Sequence, residues 1–136
     1  MNVVLDTNVL VSALISPFGH PARIVELVLL GELALAYDDR LMAEYRDVLA
    51  RPRFGFDPDE VDALLLYIRS SGQAVTAPPL TVEMPDAHDV PFLEVAAATD
   101  SVLVTGNARH YPAAARGTAT VQSPAEFWAA WQGRGP

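Results

Sequence analysis

The chain has 136 residues, 51% of them hydrophobic, which suits one domain over residues 1–136 burying roughly two thirds of its unfolded surface. Its net charge is −8, with 17 acidic side chains against nine basic ones, and all of the basic residues are arginines. Without cysteine there can be no disulfide, thiolate metal site or cysteine nucleophile, and without lysine no Schiff base and no Walker lysine for phosphate. No basic segment precedes an apolar leader and no apolar stretch could span a bilayer, so the expectation is a cytoplasmic protein with no membrane contact.

The opening Asn2-Val3-Val4-Leu5 reads as a strand buried on both faces of a parallel sheet. It stops at Asp6-Thr7-Asn8, before an apolar helical run from Val9 to Leu14. A carboxylate at the carboxyl end of a central strand is at the edge where open α/β sheets bind ligands. Helix capping by Asp6 explains the same residue equally well at this stage.

A helix follows over Pro21 to Leu30, closed by Gly31, and Leu33 to Tyr37 reads as a second, parallel strand. Asp38 and Asp39 cap a helix running to about Ala50, whose apolar stripe is Leu41, Met42, Tyr45, Val48 and Leu49. Glu44 falls about 40° beyond the edge of that stripe, nearer the buried surface than Asp47, although a solvated flanking glutamate has the same spacing. Arg51 to Phe56 is a turn, and Asp57-Pro58 opens a helix to Ser71, stopped by Gly72.

Ala74 to Thr76 makes a weak third strand before Pro78-Pro79. Asp86-Ala87-His88-Asp89 then opens an alanine-rich helix, and capping is the ordinary role of either aspartate there. Val102 to Thr105 is a clear strand ending in Gly106-Asn107, so it repeats the apolar strand, threonine and asparagine of the N-terminus. Thr118 to Val121 is a weak last strand, and Ser123-Pro124-Ala125-Glu126 is a capping box for a closing helix with Phe127, Trp128 and Trp131.

Asp6, Glu44, Asp86, Asp89 and Asn107 therefore offer an all-oxygen ligand set. Carboxylates gathered in one cleft repel each other unless a cation joins them, and oxygen ligands select Mg²⁺ or Mn²⁺. Such an ion activates water at neutral pH and stabilises charge on a reacting phosphate, which points to phosphodiester hydrolysis. Bound cations would also reverse the local field that makes an acidic chain a poor partner for nucleic acid.

At these residues the sequence resembles the PIN-domain family of metal-dependent ribonucleases, in particular the VapC-like toxins of bacterial toxin–antitoxin systems. The likeness is carried by Val4-Leu5-Asp6-Thr7-Asn8, Glu44-Tyr45, Asp89-Val90-Pro91-Phe92-Leu93-Glu94, and Val104-Thr105-Gly106-Asn107 followed by His110-Tyr111-Pro112. It implies an α/β fold, a three-layer α/β/α sandwich around a parallel sheet. It also implies that Asp6, Glu44 and Asp89 are the catalytic acids and hold Mg²⁺ or Mn²⁺, with Asp86 as a further metal-side acid and Asn8, Thr105 and Asn107 as accessory groups. RNA would be the substrate, an antitoxin the partner and a homodimer the assembly. Arg109, Arg51 and Arg53 are candidate RNA contacts, though each also fits as an ordinary surface arginine.

Two positions depart from the family pattern, since many members have an acid where this chain has Asn107 and another where it has His88. The alternative reading is accordingly a weak or inactive module that binds RNA or an antitoxin without cutting. A haloacid-dehalogenase-like phosphatase would need an aspartate at Asn8, and it or a receiver domain would need a lysine.

Overall fold

β1 (Asn2–Leu5) lies at the middle of a five-stranded sheet because nothing in it but Asn2 needs water, and Val3, Val4 and Leu5 are fully buried. The structure, a computed structural model, describes residues 1–134. The remaining strands are β2 (Ala34–Tyr37), β3 (Gln73–Ala74), β4 (Val102–Val104) and β5 (Thr120–Gln122), in the order β3-β2-β1-β4-β5. Every pairing is parallel; Val3 stands opposite both Leu35 and Val102, and Leu5 opposite Val104.

The chain thus lays strands outward from β1 on one side, returns, and lays β4 and β5 on the other. The reversal falls between β1 and β4, where the loops leaving the carboxyl ends of neighbouring strands diverge and open a crevice. Asp6 and Thr105 are the residues immediately after those two strands.

Among the described residues there are seven α-helices: α1 (Thr7–Ile15), α2 (His20–Leu29), α3 (Asp39–Leu49), α4 (Pro58–Ser71), α5 (Val90–Thr99), α6 (Ala113–Arg116) and α7 (Pro124–Gln132). One layer is α1, α2 and α7; the other is α3, α4 and α5, with α5 lying across β1, β2 and β4. The small Ala96 and the buried Phe92, Leu93 and Val95 let α5 approach that closely. Gly72 ends α4 where a Cβ would sit 2.4 Å from the carbonyl oxygen of Leu35, so only glycine lets α4 turn directly onto β2.

The three-layer α/β/α expectation holds, as do the α4 boundaries and the capping box of Ser123 with Glu126. The weak strands moved. The third is Gln73–Ala74 rather than 74–76, and the last is Thr120–Gln122 rather than 118–121. Gly117, at φ +57°, and the bond from the Ala119 N–H to the Arg116 carbonyl spend 117–119 on a turn. The short α6 and a 3₁₀ turn over Ala108–His110 had no periodicity to announce them. Among the described residues no helix is long and apolar enough to cross a membrane.

Candidate active site

Asp6 is still locked to the sheet, its backbone N–H donating to the Val104 carbonyl at 2.9 Å, when the chain turns into α1. It occupies the N-cap position, yet its carboxylate makes no capping hydrogen bond. Instead Oδ2 accepts from the Thr105 hydroxyl at 2.9 Å and from the Tyr111 hydroxyl at 3.0 Å. Both hydroxyls fall on one oxygen, Oδ2. Asp6 is only 5% exposed, and burial raises its pKa above the ordinary value. Thr105, Tyr111 and the nearby amides of Thr7 and Asn8 offset part of that rise.

The β4 turn is tied to the β1 turn by side chains. Asn107 donates its backbone N–H to Thr105 Oγ1 at 3.0 Å, so it orders the hydroxyl that orders Asp6. Asn8 Oδ1 accepts the Gly106 N–H at 2.9 Å, and a Cβ at Gly106 would crowd that oxygen to 3.3 Å.

Glu44 reaches the same edge because Tyr45 anchors α3. The Tyr45 hydroxyl, fully buried, donates to the Leu5 carbonyl at 2.5 Å, one residue before Asp6. The adjacent Glu44 then accepts the Thr7 hydroxyl at 2.5 Å. Asp89 comes from the 3₁₀ turn Ala87–Asp89 that opens α5. It too stands at an N-cap without capping, and its Oδ2 lies 3.0 Å from His110 Nδ1. Burial and the neighbouring charges of Asp6 and Asp86 push its pKa up to about 6, against the pull of His110.

Asp86 does cap. Its Oδ1 accepts the His88 backbone N–H at 2.9 Å and lies 3.1 Å from His88 Nδ1, contacts that hold this exposed carboxyl below the usual range. Glu94 is buried and charged, but for the scaffold: it pairs with Arg40 at 2.7 Å and accepts the Leu80 N–H, while Arg40 also grips Asp38. That network fixes the segment leading toward Asp86.

Among the described residues no three His, Asp or Glu side chains stand close enough together to form a finished metal cage. Charge and chemistry still fit a hard cation. The charge of Asp6 bears on Asp89, hydroxyls rather than arginines hold Asp6 and Glu44, and among the described residues none of the three acids pairs with an arginine. Beside them opens a cleft of about 610 Å³ lined in part by Asn8, Glu44, Asp86, Arg51, Arg53 and Phe54. Arg109 stands exposed on the turn after Asn107 and is not part of that lining.

The family model described as PIN domain matches residues 2–109, from the first strand through the turn after β4. The chain belongs to the PIN-domain family. This PIN domain is also similar in fold to VapBC2 from Rickettsia felis, solved bound to a DNA fragment from their promoter. That match has a TM-score of 0.59 at 15% identity and covers 90% of this chain and 98% of the other. No curated protein matches the sequence.

Sequence reasoning left three groups out of the candidate site of this PIN domain: Thr7, His110 and Tyr111, which bond to Glu44, Asp89 and Asp6. The signal for Tyr111 was available, since a large aromatic just past a strand-end turn, in a stretch without helical or strand periodicity, must bury itself against that turn. Tyr111→Phe keeps the ring and leaves Asp6 Oδ2 with Thr105 alone. A hydrogen bond to a charged acceptor is worth about 2 kcal/mol, and a loss of that order is expected in urea unfolding above pH 7. Unchanged stability would mean that the hydroxyl does not hold the carboxylate.

Proposed function

We propose that this PIN domain is a metal-dependent endoribonuclease, the toxin of a toxin–antitoxin pair, acting as a single domain over its 136 residues. The observation that carries the reading is Asp6: a buried carboxylate at the sheet's reversal point, freed from capping, held by two hydroxyls on one oxygen and within the electrostatic reach of Asp89. A group so costly to bury has a use for its charge.

Asp6 and Asp89 would hold Mg²⁺ or Mn²⁺, with Glu44 as the third catalytic acid and Asp86 supplying further negative charge at the rim. The ion, when bound, supplies an acidified water and stabilises charge on the phosphodiester. The chain's own part is positional. Thr105 and Tyr111 orient Asp6, Thr7 orients Glu44, His110 orients Asp89, Asn8 holds the two turns in register through Gly106, and the Asn107 backbone N–H holds the Thr105 hydroxyl. Arg51 and Arg53 stand on the cleft where an RNA backbone would pass, and Arg109 serves it from outside that lining.

For a cognate antitoxin or a second copy, the available apolar surface is a groove of about 430 Å³ that includes Pro17, Phe18, Leu30 and Trp128. Phe18 is 90% exposed. The R. felis neighbour is itself a VapBC assembly.

The test is cleavage of an unstructured RNA by purified protein with Mn²⁺, with Mg²⁺ and with EDTA. Cutting with either ion and none in EDTA is expected. No cutting under any condition would leave the binding module as the better reading.

A further inference from the structure

We infer that Arg53 and Phe54 form a nucleobase-stacking subsite on the wall of the acidic cleft, so that this chain grips a nucleotide by its base as well as by its phosphate. The inference rests on the RNA reading above and adds to it a residue that reads bases. The turn after α3 is ordered: the Phe54 N–H donates to the Arg51 carbonyl and the Gly55 N–H to the Pro52 carbonyl, each at 3.1 Å. Gly55 takes φ +65°, a conformation that resists any side chain, and this lets the rings on either side of it meet. Phe54 and Phe56 stack at 5.4 Å with their planes 9° apart.

The two rings differ in their surroundings. Phe56 packs against the hydrophobic core, while Phe54 lines the cleft that Glu44 and Asp86 also line. The Arg53 guanidinium lies over the Phe54 ring, 4.7 Å from its centre. A base can stack on that guanidinium plane or take its place over the ring, and both modes are sequence-tolerant. Arg51 and Arg53 are the arginines of this cleft, and Arg51 is paired with Asp47 at 3.1 Å, so phosphates entering an otherwise acidic crevice meet chiefly the Arg53 guanidinium at this turn. Bases inside a duplex are already stacked on each other, so the subsite selects an unpaired nucleotide next to the acids.

The experiment measures binding without cutting. Fluorescence anisotropy in EDTA compares a labelled single-stranded RNA, a strand of equal length with abasic riboses, and a duplex. The proteins are wild type, Phe54→Leu and Arg53→Gln. Phe54→Leu should weaken the single strand about tenfold and leave the abasic strand within about twofold of wild type. Arg53→Gln should weaken both, the intact strand more. If Phe54→Leu binds the intact strand like wild type, or loses the abasic strand equally, the subsite is overturned and the stack is left to the loop's own stability or to a protein segment. Should Phe54→Leu melt below wild type, the solvent-exposed Arg53→Gln decides, and equal losses on intact and abasic strands then reject the subsite. Cleavage by wild type in Mn²⁺ is scored separately: cutting with no Phe54 dependence sinks only the subsite, and base-dependent binding without cutting sinks only the nuclease.

Discussion

Asp6→Asn should cut RNA about a thousandfold more slowly than wild type, because the lost ionic ligand is worth several kcal/mol of transition-state stabilisation and each 1.36 kcal/mol is tenfold. The same variant should melt no lower than wild type in EDTA at pH 7.5. The carboxylate is buried and its folded pKa lies above the unfolded value, so its favourable contribution is complete at pH values below the unfolded pKa. That contribution is lost as pH rises through the folded pKa, and above it the folded state carries the cost of the charge. An amide removes that cost, and its oxygen still accepts from Thr105 and Tyr111, while its new N–H group needs a partner that offsets part of the gain. Activity and stability should therefore separate, which a core defect cannot mimic. Equal cleavage by both proteins would assign the activity to a contaminant or to another site.

The sheet was legible because its central strands are written in residues that tolerate no alternative. Val3-Val4-Leu5 and Val102-Leu103-Val104 have no polar face, and two such runs ending in threonine and asparagine turns belong side by side. The edge strands were less legible because their pairing depends on where neighbouring turns happen to close, as at Gly117.

Candidate site residues were visible as types and only partly as geometry. Helical phase put Glu44 near the buried flank, but what brings it to Asp6 is Tyr45 bonding to Leu5, a contact between residues 40 apart in the chain. Capping preference gave Asp6, Asp86 and Asp89 one and the same ordinary explanation. The structure divides them: Asp86 caps its turn, while the other two stand at N-caps and point their oxygens elsewhere. No local pattern separates these cases, since the hydroxyl and imidazole partners that draw Asp6 and Asp89 away come from the loop after β4.

Mn²⁺ should reverse the pH dependence that Asp89 imposes on stability. In EDTA the folded protein keeps the Asp89 proton up to about pH 6, whereas the unfolded chain releases it near the ordinary aspartate value of 3.8. Between those values the folded state binds more protons, so the stability difference between wild type and Asp89→Asn should shift against wild type as pH rises through 6. A cation requires the deprotonated carboxylate, so its stabilisation grows over the same interval. An ion at a hundredfold excess over its dissociation constant contributes about 2.7 kcal/mol, or roughly 10 °C in melting temperature for a chain of this size. The Mn²⁺-induced shift of wild type should thus be small at pH 5, rise to that order by pH 7.5, and be strongly reduced in Asp89→Asn at every pH. A melting temperature that Mn²⁺ leaves unmoved at pH 7.5 would remove the ion from the mechanism and leave a module that binds without cutting. A shift of equal size at pH 5 and pH 7.5 would instead remove Asp89 from the ion's ligands, since a ligand still largely protonated at the lower pH cannot hold the metal equally well at both.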